Sequence, residues 1–158
     1  MTVNQQSEDC FIRRKHRGEI AIPGGMLYRD DLVYGCYIGS PEQIEGHTAY
    51  LGYLMIESRR HTPGLADLTD EEAQATGLLV TRLGRALKAC TTAEHVYAFV
   101  LGDHVPHLHI HILPRYPGAP REYRGTHTNE WPDAPRGGIA EIEALCTQLR
   151  AYLDREHH

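Results

Sequence analysis

The feature that most constrains this chain is a short stretch in which histidine alternates with aliphatic residues, His107-Leu108-His109-Ile110-His111-Ile112. A period of two is the period of a strand, whose successive side chains leave from opposite faces. The alternation predicts a strand with Leu108, Ile110 and Ile112 in a core and three imidazoles in a row on the other face. Alternate residues on a strand stand roughly 6.5–7 Å apart, so the row sits on a rigid element. Four of the eleven histidines fall between residues 104 and 111, a concentration that random surface placement does not explain.

Around that strand the chain reads as an α+β domain, an antiparallel sheet of about five strands with helices on one side. Met26-Leu27-Tyr28 and Leu32 to Ile38 read as two strands of a hairpin, Ser40 to Thr48 as a loop, and Tyr50 to Glu57 as a third strand. The clearest helix runs from Thr69 to Cys90. Thr69 is a good N-cap, Glu72 completes a capping box, and Leu79, Leu83, Ala86 and Leu87 form its apolar stripe. His95 to Leu101 and Val105 to Arg115 are predicted as adjacent strands joined by a tight turn at Gly102-Asp103. Residues 117–138 are loop-like, with several prolines and glycines. Ile139 to Arg155 closes the chain as a helix with Ile142, Leu145, Leu149 and Leu153 inward. The basic run Arg13 to Arg17 reads as the solvated face of a short helix. One domain over residues 1–158 is expected, with a core of about 10–116.

Charge and hydropathy exclude several classes. The formal net charge is −5, against a stable nucleic-acid partner, which calls for a basic surface. No apolar run approaches the ~20 residues of a membrane span, and Met1 to Asp9 are polar with no signal-peptide core after them, so a cytoplasmic location is expected. Cys10, Cys36, Cys90 and Cys146 form no C-x-x-C and read as free buried thiols.

A row of imidazoles supports three chemistries. A neutral histidine nitrogen attacks phosphorus if a backbone carbonyl or a neighbouring histidine holds the proton of its other nitrogen. A second, protonated histidine then neutralises phosphate charge or protonates a leaving group. Alternatively the row ligates zinc, with His47, His61, His95 or Asp103 as a further donor. The third possibility is a nucleotide-binding module with little turnover.

The stretch Gly102-Asp103-His104-Val105-Pro106-His107-Leu108-His109-Ile110-His111-Ile112-Leu113-Pro114-Arg115 resembles the signature of the histidine-triad (HIT) superfamily, His-φ-His-φ-His-φ-φ with φ apolar. Cys10 to Ile20, and Arg60-His61 followed by Leu68 to Glu72, resemble the family's N-terminal segment and capped helix. The resemblance implies that His109 is the nucleophile that takes a nucleoside monophosphate, that His111 contacts the scissile phosphate and assists the leaving group, and that His107 orients His109. It implies phosphoramidate, acyl-adenylate or dinucleoside polyphosphate substrates, no cofactor and no metal for the chemistry, and a homodimer. Asp103 stands where the family usually has Gln. An ungapped match puts Tyr53 where the family has a histidine, and a shifted one puts His47 there. Asp103, His104, Tyr53, Arg115 and Trp131 are the candidate substrate contacts. Arg115 would hold a second phosphate or a carboxylate, and Trp131, the only tryptophan, would stack on a base or pack its own loop.

Overall fold

The computed structural model describes residues 8–156. A short helix α1 (Phe11–His16) leads into strands β1 (Tyr28–Arg29) and β2 (Val33–Tyr37), a one-turn helix α2 (Pro41–Ile44), and strands β3 (Ala49–Tyr50) and β4 (Leu54–Ser58). The long helix α3 (Asp70–Cys90) follows, then β5 (His95–Phe99) and β6 (His109–Arg115). Two 3-10 turns, a two-residue strand β7 (Arg136–Gly137) and helix α4 (Ile139–Glu156) complete the chain. Five strands form one antiparallel sheet in the order β1-β2-β4-β6-β5, and β3 pairs with β7 in a separate ribbon.

Helix α3 forms where its caps and stripe place it. The Thr69 hydroxyl accepts from the Glu72 amide at 3.2 Å, and the Glu72 carboxylate accepts from the Thr69 amide at 2.9 Å. Such caps contribute about 0.5–2 kcal/mol. Leu79, Leu83, Ala86 and Leu87 of α3 and Ile142, Leu145, Leu149 and Leu153 of α4 are buried. They pack on Val33, Tyr37, Leu54, Ile56, Ile110 and Ile112 in one cluster. Both long helices therefore cover one face of the sheet. Truncating a core leucine such as Leu83, fully buried here, costs about 2–5 kcal/mol.

The other face carries His109 and His111, and the register sets their neighbours. His109 lies opposite Glu57, and His111 lies between Met55 on β4 and Phe99 on β5. Directly opposed residues share a face.

Several boundaries differ from the sequence expectation. The strand expected over Tyr50 to Glu57 is split at Gly52, whose φ is +87° and where an added Cβ would meet Pro114 Cγ at 2.9 Å. Residues before the break join β7 instead of the main sheet, which docks the segment after His111 onto the body. Residues 100–108 form a broad connection, not a tight turn, because Pro106 offers no amide and the Leu108 amide donates to the Thr62 carbonyl at 2.7 Å. The basic run is solvated only in part: Arg14 and Arg17 are exposed, while Lys15 and His16 turn inward. Helix α1 lies across the sheet, so Lys15 is 4% exposed and His16 stacks on Tyr34 with ring centroids 3.9 Å apart. Residues 41–44, expected as loop, form α2, with Pro41 in its first turn and Ser40 before it. Among the described residues no helix is long and apolar enough to cross a membrane.

Candidate active site

The three alternating histidines meet three different environments. His109 is half-buried, and its Nδ1–H donates to the His107 main-chain carbonyl at 2.7 Å. That bond fixes the proton on Nδ1 and leaves the Nε2 lone pair unprotonated and free to attack. The partner of His109 is thus the His107 carbonyl and not the His107 ring.

His111 stacks on Phe99, with centroids 4.9 Å apart and planes 12° apart, and its Nδ1 lies 2.7 Å from the Tyr53 hydroxyl. Burial pushes the Tyr53 phenol up to about 12, so it keeps its proton and donates it to His111. The proton of neutral His111 then sits on Nε2. Burial, followed by the neighbouring His109, pushes the His111 pKa down to about 4. The ring centroids of His109 and His111 are 5.2 Å apart.

The His107 ring lies just before β6 and is 0% exposed beneath α1. Its Nε2–H donates to the Ser58 carbonyl at 2.6 Å. Its Nδ1 lone pair therefore faces Cys10 Sγ at 3.5 Å and His61 Nδ1 at 3.2 Å. Burial is the main cause that pushes its pKa down to about 4.

Cys10, His61 and His107 are the group, among the described residues, that could hold a metal ion. Zinc takes thiolate at about 2.3 Å and imidazole at about 2.0–2.1 Å, so a tetrahedral site spaces N–N and N–S pairs at roughly 3.3 and 3.6 Å. The spacings found are 3.2 and 3.5 Å. The Ser58 carbonyl supplies the outer-sphere bond that aims His107. The donor set fits zinc. Of the three alternating histidines it uses only His107, so His109 and His111 stay free.

A second buried cluster lies under α1. Glu57, 0% exposed and opposite His109, accepts from His16 Nε2 at 2.8 Å and from Lys15. Burial raises the Glu57 carboxyl, but His16 and Lys15 more than offset it and hold the pKa below the ordinary carboxylate value. Sequence reasoning missed Lys15, His16, Glu57 and Cys10 as neighbours of the site. Only the inward spacing of Ile12 and Lys15, three apart on a helix, signalled them.

Next to His109 lies a cavity of about 260 Å³ walled by Phe11, Ile12, Ile38, Met55 and Val105. Beyond Ile38 lies another of about 190 Å³, bounded by Tyr50, Tyr53, Asn129 and Arg136. Arg136 was not singled out from the sequence, because a lone arginine in a Pro/Gly-rich stretch carries no signal.

The remaining candidates disperse. Tyr53 is at the site, whereas His47 is exposed in the turn after α2, which decides between them. His95 lines a groove between α3 and α4, away from the triad. Asp103 and His104 are exposed, and neither makes a hydrogen bond or ion pair with the other. Arg115, at the far end of β6, donates to the Tyr97 hydroxyl at 3.3 Å. Trp131 packs against the cluster of Tyr50, Leu113, Tyr116 and Ala134, so it holds its own loop to the sheet.

The HIT domain family matches residues 21–118, more than half of the chain. The fold is similar to that of a zinc-bound histidine triad family protein from Mycobacterium smegmatis, with a TM-score of 0.68 and 19% identity over 96% of this chain and 97% of that one. It is similar to a Hit-like protein involved in cell-cycle regulation from Bartonella henselae, with a TM-score of 0.67 and 19% identity over 91% and 96% of the two chains. A hypothetical histidine triad nucleotide-binding protein from Sulfolobus tokodaii gives a TM-score of 0.67 and 16% identity over 92% and 93%.

Proposed function

The chain belongs to the HIT family, and from that premise we propose that it is a nucleoside-phosphate hydrolase or nucleotidyl transferase working through a covalent His109–nucleoside monophosphate intermediate. Membership supports a nucleotide-binding, hydrolase or transferase role in general. The finer reading rests on one observation, the His109 Nδ1–H bond to the His107 carbonyl, which leaves Nε2 as a nucleophile beside a cavity of about 260 Å³.

The steps balance as follows. His109 Nε2 forms a bond to phosphorus while the bond from phosphorus to the leaving nitrogen or oxygen breaks. An anionic phosphate beside His111 favours its protonated form over that of the free enzyme, and His111 gives its Nε2 proton to the departing atom. Water, or another acceptor, then attacks phosphorus, releases His109 and returns a proton to His111. Tyr53 positions His111 throughout, and Phe99 stacks behind it. Zinc on Cys10, His61 and His107 would cross-link α1, the segment after β4 and the start of β6, supplying rigidity.

The test is nucleoside monophosphate release from adenosine 5′-phosphoramidate and from a dinucleoside polyphosphate, with isolation of the phosphohistidine adduct. His109→Ala activity equal to that of the unaltered protein defeats the assignment. The same reading includes a homodimer, with β5 as an open sheet edge, and light scattering measures it.

A further inference from the structure

Several arginines of this chain are paired with carboxylates, whereas Arg136, like Arg150, is held by main-chain carbonyls. Arg60 pairs with Glu72, Arg59 with Asp31 and Arg14 with Glu19. Arg136 has no carboxylate partner among the described residues. Its Nη2 instead donates to the main-chain carbonyls of Asn129 at 2.6 Å and Trp131 at 3.4 Å. Those bonds fix the guanidinium, and its Nη1 and Nε hydrogens have no partner among the described residues. In a chain of net charge −5, this half-buried guanidinium is held by main-chain carbonyls and not by a carboxylate, which leaves its charge for an anion.

Its setting gives it a purpose. Arg136 sits on β7, opposite Tyr50 on β3, and the Tyr116 hydroxyl donates to the Leu51 carbonyl at 2.8 Å to hold that ribbon against the sheet. Arg136 and Tyr53 both line the cavity of about 190 Å³. The Tyr53 hydroxyl is bonded to His111, and Ile38 borders both this cavity and the one beside His109. The two cavities are thus adjacent on either side of Ile38, one reaching His109 and one reaching Arg136.

We propose that the pocket between Tyr53 and Arg136 is an anion subsite that holds a phosphate or carboxylate carried by the substrate beyond the phosphorus attacked by His109. This rests on the reading of His109 as nucleophile and extends it to the substrate class: molecules with a second anionic group, which a guanidinium recognises by charge-assisted hydrogen bonds. Neutral leaving groups leave the subsite unused.

Calorimetric titration of the intact protein with AMP, ADP, GMP and GDP separates the two ideas. The diphosphate of the preferred base is expected to bind about tenfold or more tightly than its monophosphate, the size of one charge-assisted hydrogen bond. Arg136→Met is expected to erase that preference while leaving monophosphate affinity within about twofold, which also reports that the site still folds. Arg136→Lys, which keeps the charge without the fork, is expected to retain part of it. A carboxylate source is read by comparing AMP joined through nitrogen to glycine with AMP joined to ethylamine. Preference for the glycine adduct alone assigns the subsite to carboxylate, and preference for the diphosphate alone assigns it to phosphate. Equal binding within both pairs, equal loss of all ligands in Arg136→Met, or no binding of either diphosphate overturns the subsite. Absence of turnover with an intact diphosphate preference instead sinks the nucleophile reading and leaves the subsite standing.

Discussion

The two ends of the histidine row carry the same side chain in opposite settings. At the His107 end, α1 closes over the sheet and buries Cys10, Lys15, His16 and Glu57 with the ring. At the His111 end the ring meets Tyr53 and Phe99. The closed end is a polar core under α1; at the open end His111 is itself buried, and Tyr53 beside it borders a cavity shared with Asn129 and Arg136. His109, between them, takes its proton geometry from the His107 carbonyl and borders the cavity walled by Phe11, Ile12 and Met55. Side-chain type does not assign these roles; what covers each ring does.

That contrast can be broken by mutation, and the largest effect is expected in the middle. His109→Ala is predicted to lower turnover by about a thousandfold or more with an unchanged melting temperature, since it removes the attacking nitrogen and no core contact. Steady-state rates and a thermal melt measure both. At the closed end, Glu57→Leu leaves the buried Lys15 ammonium without its counter-charge and is expected to cost about 3–5 kcal/mol in urea unfolding. A loss below about 1 kcal/mol would show that the cluster is wetter than its burial implies.

Acid tests both ends together. His107 and His111 have folded pKa values pushed down to about 4, mainly by burial, against an ordinary value of 6.5. The unfolded chain therefore binds more protons between those values, so stability is full above pH 6.5 and falls as pH drops toward 4. The free energy of urea unfolding, followed over that window, is expected to drop by an amount on the order of a few kcal/mol, and a flat profile would contradict the burial. The smallest effect is expected at the open end. Tyr53→Phe removes one hydrogen bond to His111 and should lower turnover by about five- to tenfold, with the pH–rate profile displaced and KM little changed. An unchanged profile would remove Tyr53 from the positioning of His111.

Much of this protein was legible in one dimension. Thr69 and Glu72 announce the start of α3, and the stripe Leu79, Leu83, Ala86, Leu87 announces its buried face. The alternation from Leu108 to Ile112 announces β6 and puts His109 and His111 on one face of it. The boundaries that failed did so for local reasons whose outcome depends on distant atoms. The positive φ of Gly52, beside Pro114, splits one expected strand. The Leu108 amide bond to the Thr62 carbonyl helps draw His107 out of the strand. The basic run looked solvated because five consecutive cationic or histidine residues carry no sign of the Glu57 that receives two of them.

The sequence by itself determined the two long helices and the strand period of the histidine row, because capping and periodicity are properties of neighbours along the chain. Only the tertiary structure decided which histidine is structural and that Tyr53 rather than His47 serves His111. It also decided that Cys10 meets His61, and that Arg136 arrives in the cavity beside Tyr53 with no carboxylate partner among the described residues. Those pairings join residues tens of positions apart. They are fixed by sheet register and by which segment lies across which face, information that no window of the chain contains.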